Sequence, residues 1–126
     1  MTNEQKRRKL VSLGIYNTKL EFCITVDVVA HYKALCKKYN YLVNEEFIKD
    51  KTFMGLHTQL DHHFILIHED YMSHNTISHE IHHAARGITR SLGIKDEEAD
   101  AHLCGYLTTE IYKFLHKEKH LITYGK

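Results

Sequence analysis

Residues 79–83, His-Glu-Ile-His-His, contain the pattern HExxH, in which His79 and His83 stand four positions apart and Glu80 follows the first of them. If the segment is helical, positions i and i+4 share one face, so the two imidazoles can bind one metal ion. Glu80 lies about 100° further round the helix, where it can reach a metal-bound water without being a ligand. Zinc brings the pKa of such a water near neutrality, and a neighbouring carboxylate can accept its proton. The pattern therefore predicts a metal site with hydrolytic chemistry.

The histidine content of the chain both favours this prediction and limits it. Of the 12 histidines, eight lie between His57 and His83. Such a density in an otherwise ordinary composition favours metal binding. It also raises the number of chance HExxH matches to roughly 0.09 for a chain of this composition, so the pattern needs support from its context.

A catalytic zinc site needs a third protein ligand and an open position for water. One stripe of a predicted helix carries polar and small residues, at Glu98, His102, Gly105 and Thr109. We expect the two small residues to let this helix approach the metal-binding helix closely. Glu98, at the start of the stripe, is the predicted third ligand, and His102 is the alternative. The structural interpretation is that acidic residues here only complement the dipole of a helix N-terminus.

Weaker candidates surround these residues. His82, next to the pattern, either supports a ligand or lies at the surface, and metal ligation by His82 itself is the less favoured alternative. Tyr106 or His102 could stabilise an oxyanion by hydrogen bonding, although core packing is the simpler interpretation of Tyr106. Three further histidines flank a predicted strand and could contact a substrate, with solvent exposure at the strand edges as the simpler explanation: His62, His63 and His68.

The elements that must position these residues can be predicted from patterning. Residues 20–26 are rich in β-branched and aromatic side chains and predict a strand, after which Asp27 can cap a helix. Two short strands are predicted around Phe47 and Phe53. The apolar run within residues 63–68 is typical of a buried central strand.

Two amphipathic helices are predicted to follow that strand. Thr76 is the expected N-cap of the first, Gly93 its C-terminal cap glycine, and Asp96 the N-cap of the second. The second helix has small or uncharged residues on both sides, which predicts a central helix buried on both sides. Strands followed by two helices predict an α+β fold, with a short curled sheet packed on two or three helices, including the HExxH helix.

Length and composition set the remaining expectations. The chain has 126 residues, of which 43% are hydrophobic and 26% charged, and we expect one domain over residues 1–126 with a frayed basic terminus at residues 1–9. The net charge of +1 gives no overall attraction to nucleic acid or to membranes. No apolar run could cross a bilayer, and no signal peptide is evident. Three cysteines without CxxC spacing predict free thiols in the reducing cytoplasm.

The order of these features resembles a known family. A strand, HExxH, a short loop and Glu-Ala-Asp-Ala at residues 98–101 resemble the gluzincin branch of the zincin metallopeptidases. The chain is similar in particular to the compact ImmA/IrrE-like and phage-encoded metallopeptidases, the latter through Gly-Tyr-Leu at residues 105–107. The resemblance covers residues 61–115, and residues 1–60 resemble nothing that we can name.

The resemblance implies one zinc ion bound by His79, His83 and Glu98. It also implies that Glu80 is the general base in hydrolysis of a peptide bond in a protein substrate, in the cytoplasm, or in the host cytoplasm for a phage protein. The rival hypothesis is a non-catalytic module stabilised by zinc, with a structural or host-interaction role. Glu80 discriminates between them, since a purely structural site has no use for a carboxylate beside its water. Nucleic-acid binding through residues 6–9 is a third, weaker hypothesis, and the oligomeric state stays open.

Overall fold

The computed structural model describes residue 2 and residues 5–49 and 53–124. These residues form an α+β fold with an open four-stranded sheet, which confirms the predicted fold class. The strands are β1 (Arg8–Leu13), β2 (Thr18–Thr25), β3 (Gly55–Gln59) and β4 (His63–His68). The helices are α1 (Val28–Tyr39), α2 (Glu45–Ile48), α3 (His74–Ser91) and α4 (Glu97–Lys117).

The sheet has the order β1-β2-β4-β3 and is mixed. β1 and β2 are antiparallel, β2 and β4 are parallel, and β3 is antiparallel to β4. The crossover between the parallel strands contains α1 and α2, as such a connection requires. β3 is last in the strand order and is therefore an edge strand, and it packs beside α3.

The sheet separates two apolar cores. Alternate residues of β4 point to opposite faces, so Ile65 and Ile67 pack towards α3 and α4 while Phe64 and Leu66 pack towards α1 and α2. Both faces are covered, which explains why the apolar run of β4 is continuous and confirms the predicted buried central strand. Burying each such side chain contributes about 1.5–3 kcal/mol.

The helix that carries HExxH has its N-cap three residues before the predicted one. The side chain of Ser73, and not that of Thr76, caps α3 by accepting a hydrogen bond from the backbone N–H of Thr76 at 3.1 Å. Thr76 is instead buried in the first turn, where its hydroxyl lies 3.1 Å from that of Ser73. At the other end Gly93 has a φ of 77°, as expected of a glycine after a helix.

α4 is buried on one side, so the prediction of a helix covered on both sides is wrong. Asp96 caps it as predicted, accepting from the N–H of Glu98. Its apolar residues face the core, and the opposite stripe is exposed, including Gly105 and Thr109. Gly105 and Thr109 therefore do not lie between α4 and α3, and they do not bring the two helices together. The hydroxyl of Thr89 on α3 donates instead to Asp100 of α4 at 2.6 Å.

The N-terminal half departs from the prediction in two places. Residues 45–48 are helical and not a strand, because the side chain of Asn44 caps them by accepting from the N–H of Phe47. The strand expected around Phe53 begins at Gly55. Residues 8 and 9 belong to β1 and pair with β2, so the expected fraying of residues 1–9 does not extend to them. Residues 1, 3 and 4 lie outside the described part of the chain.

Within the described residues, every helix is too short or too polar to cross a bilayer.

Candidate metal centre

A cleft of about 350 Å³ lies between the edge strand β3 and α3. Two aromatic side chains from the segment before β3 form one side of it, Phe47 and Phe53. The HExxH residues of α3 form the other side, together with His57 of β3. The predicted metal-binding face of α3 therefore opens into a cleft bordered by a strand edge.

His79 and His83 converge as their spacing predicts. Their Nε2 atoms lie 3.1 Å apart, and the ring planes are inclined by 78°. Two nitrogens bound tetrahedrally to one zinc ion at about 2.1 Å each would be about 3.4 Å apart, so the pair is close to ligand geometry. Burial, and then the neighbouring charges of His79, His82 and Arg86, lower the pKa of His83. The neutral imidazole, which is the form that binds metal, is therefore favoured.

Glu80 is buried at the base of this cleft, with 7% of its surface exposed. A Cβ atom on Gly55 would lie 3.0 Å from Cγ of Glu80, so any other residue here would require the Glu80 side chain to shift by a few tenths of an ångström. The backbone N–H of His57 lies beside the Glu80 carboxylate and favours its charged form. Burial raises the pKa of Glu80, opposed by the charge of His79 and by that N–H. A carboxyl group with a raised pKa suits proton transfer near neutral pH.

Glu98, the predicted third ligand, lies elsewhere. Its side chain is 81% exposed, and its nearest recorded ionic partner is Nε2 of His102 at 3.5 Å. It stands two positions before the buried Asp100, hence about 200° away round α4 and on the outer stripe. In the described part of the chain, no three His, Cys, Asp or Glu side chains are grouped so as to hold a metal ion. The structure thus joins His79, Glu80 and His83 but not Glu98, whose ligation stays a prediction.

The weaker candidates also lie apart from the cleft. His102 and Tyr106 are exposed on α4, so core packing does not explain Tyr106. His82 is exposed, with its ring centroid 6.4 Å from that of His83. None of these three is among the described residues that line the cleft.

The histidines around β4 are not explained by exposure at strand edges. His62 and His63 are buried, and Nε2 of His62 has no hydrogen-bond partner among the described residues. His68 is half-buried, and its Nδ1 accepts from the N–H of Asp70 at 3.0 Å. The prediction of exposure is wrong for both residues. β4, which begins at His63, is covered on both faces, and the ring of His62 packs against those of Tyr39 and Phe64.

His57 is the cleft residue that sequence reasoning missed. Its Nε2 lies 3.0 Å from Nδ1 of His63, and the two rings are parallel within 5°. Burial, and then the charges of His63 and His83, lower the pKa of His57 to about 4. The only sequence signal was Gly87, a glycine on the same helical stripe as His79 and His83. That glycine marks a gap in the stripe without telling which residue fills it.

Comparison of the chain with protein-family models, with curated proteins and with solved structures finds no match in any of the three. Function must therefore be inferred from the cleft. Two converging imidazoles provide two metal ligands, and a buried carboxylate beside them can accept a proton. The adjoining strand edge can bind an extended chain.

Proposed function

We propose that this protein is a zinc-dependent peptidase whose active site is the cleft between β3 and α3. The observation that supports this most is the 3.1 Å separation of the His79 and His83 Nε2 atoms, with the buried Glu80 carboxyl in the same cleft. A zinc ion held there would bring the pKa of a water in its open position near neutrality. Glu80 would accept the proton of the attacking water on a carboxylate oxygen and pass it to the leaving amine nitrogen as the C–N bond breaks.

The surroundings of Glu80 support this role. The backbone N–H of His57 favours the charged carboxylate, and Gly55 lies against the Glu80 side chain. Phe47 and Phe53 give the cleft an apolar side suited to a substrate side chain. In the described part of the chain no further strand pairs with the outer side of β3, so this edge can pair with the backbone of an extended peptide. The three cysteines are unpaired, as in a protein of the reducing cytoplasm, where we place the activity.

Glu98 lies outside the cleft and would have to move to reach a metal ion there, so its place in the proposed ligand set is tested with a matched pair of variants. Glu98→Ala should weaken zinc binding by at least tenfold, because a three-ligand site loses one donor. Glu97→Ala removes a neighbouring exposed carboxylate and should leave zinc binding unchanged. Equal affinities in a chelator-competition titration would remove Glu98 from the site.

A non-catalytic module stabilised by zinc is the second candidate, and one observation favours it. Glu80 lies where α3 packs on β3, against Gly55 and beside the backbone of His57. A structural role could therefore explain the carboxylate without catalysis.

A cleavage screen with a catalytic-base variant separates the two candidates. Parent and Glu80→Gln protein are incubated with a peptide library, with co-purifying proteins and alone, and zinc is quantified in the same samples. Gln has nearly the same shape but cannot accept the proton, so cleavage should fall by about 10²–10⁴-fold with zinc retained. Cleavage by Glu80→Gln at the parent rate, or none by zinc-loaded parent, would favour the structural module.

A further inference from the structure

A metal-binding histidine needs a hydrogen-bond partner for its second ring nitrogen, which fixes its tautomer and the orientation of its ring. We propose that His57 is this partner for His83, as a positioning residue whose Nδ1 accepts a hydrogen bond from the Nδ1–H of His83. The inference rests on the proposed metal site and deepens it by assigning a residue that supports one ligand.

The first observation is the place of the His57 ring along α3. A Cβ atom on Gly87 would lie 2.7 Å from Cε1 of His57, so the imidazole occupies the space of a side chain at position 87. Position 87 follows His83 by four residues, and side chains at this spacing are neighbours about 5–6 Å apart. The ring of His57 is therefore the next group along the stripe that carries His79 and His83.

The second observation is a contact between the His57 ring and a buried histidine of β4. Nδ1 of the buried His63 lies 3.0 Å from Nε2 of His57. This contact leaves Nδ1 as the ring nitrogen of His57 that is free to meet a group in the cleft. His83 lines the same cleft. The described residues show no hydrogen bond between the two imidazoles, so the proposed bond forms as the His83 ring turns to bind metal.

One arrangement of protons allows His83, His57 and His63 to be hydrogen-bonded in series. If Nδ1 of His57 accepts, its proton is on Nε2, which donates to Nδ1 of His63. His63 then carries its own proton on Nε2, and all three rings are neutral. Burial lowers the pKa of both His57 and His63 to about 4, so the neutral forms required are those present at neutral pH. His83 is left with Nε2 unprotonated, as a metal ligand must be.

Loss of such a partner typically weakens metal binding by about 10–100-fold. The test measures zinc affinity by chelator competition for parent protein and three variants. His57→Asn keeps an acceptor near the place of Nδ1, His57→Gln keeps a polar group only near that of Nε2, and His57→Ala keeps neither. His116→Ala, which removes an exposed histidine of α4, controls for non-specific binding by this histidine-rich chain.

We expect the Ala and Gln variants to lose about 10–100-fold in affinity, with the Asn and His116 variants within about threefold of the parent. In the zinc-loaded parent, NMR should show a slowly exchanging Nδ1 proton on His83 that is lost in His57→Ala. Parent affinity in His57→Ala or His57→Gln, or persistence of that proton in His57→Ala, would overturn the assignment, even where all three variants are destabilised. A parent that binds no zinc would contradict the proposed metal site itself.

Discussion

Gly87 stands in the interior of α3, where glycine ordinarily destabilises a helix by about 0.5–1 kcal/mol relative to alanine. The ring of His57 explains it, since an added Cβ would lie 2.7 Å from that ring. We expect Gly87→Ala to give no increase in the free energy of unfolding. The matched change Gly105→Ala, on the exposed side of α4 where an added Cβ would meet no neighbouring element within 4 Å, should add about 0.5–1 kcal/mol. Urea denaturation measures both.

The same glycine substitution in a protein that lacks the His57 ring tests whether that ring is the cause. In His57→Ala protein the clash is gone, so Gly87→Ala should stabilise as much as Gly105→Ala does. Equal stabilisation by the two changes in the parent would contradict the close contact between His57 and α3.

His63 should make the metal-free protein sensitive to moderate acid. Burial, and then the charge of His62, lower the pKa of His63 to about 4, below the value of about 6.5 expected in the unfolded chain. A depressed folded pKa means that this stability is fully present above pH 6.5 and is lost as the pH falls towards 4. His63→Gln should therefore flatten the dependence of the unfolding free energy on pH in this window. An unchanged slope would contradict the burial of a neutral His63.

At the scale of elements, local signals predicted much of the fold. Asp27 and Asp96 cap the helices that they were expected to cap, and β4 lies where its apolar run placed it. β1 was missed because its burial follows from pairing with β2, a contact between distant segments that its own pattern does not reveal. The convergence of His79 and His83 was predictable because one helix contains both residues.

What the sequence could not predict is how neighbouring elements meet. Glu98 and Asp100 both lie in the acidic first turn of α4. Which of the two carboxylates faces the interior depends on contacts with α3. The structure turns Asp100 inward, where Nη2 of Arg90 lies 2.9 Å from its carboxylate, and leaves Glu98 outside. His57 was missed for the same reason, since only the packing of β3 on α3 brings it to the cleft.

The junction between α3 and α4 gives a prediction at this scale. The Thr89 hydroxyl, followed by the Arg90 guanidinium, lowers the pKa of Asp100. The resulting stability is present above the ordinary aspartate pKa of about 3.9 and is lost as the pH falls through the lower folded value. Asp100→Asn should therefore lower the melting temperature at pH 7, and the difference from the parent should shrink in acid. Glu97→Gln in the exposed first turn is the control, and equal melting temperatures for Asp100→Asn and the parent at pH 7 would contradict this role.

For the whole molecule, the proposed site couples metal binding to folding. A ligand that binds only the folded state stabilises it by about 2.7 kcal/mol at a concentration 100 times its Kd. Zinc should therefore raise the melting temperature of the parent, and a chelator should reverse the shift. His79→Ala should show little shift, while His116→Ala should behave like the parent. An equal shift in parent and His79→Ala would indicate zinc bound elsewhere.

The central claim is that His79 and His83 hold one metal ion, and elemental analysis of protein purified without added metal tests it most directly. We predict about one equivalent of zinc per chain in the parent and in Glu80→Gln, and a small fraction of that in His83→Ala. Another transition metal at one equivalent would keep the site and change its chemistry, because these ligands do not select zinc uniquely. Less than a few tenths of an equivalent of any transition metal in the parent, or the same content in His83→Ala, would contradict the claim.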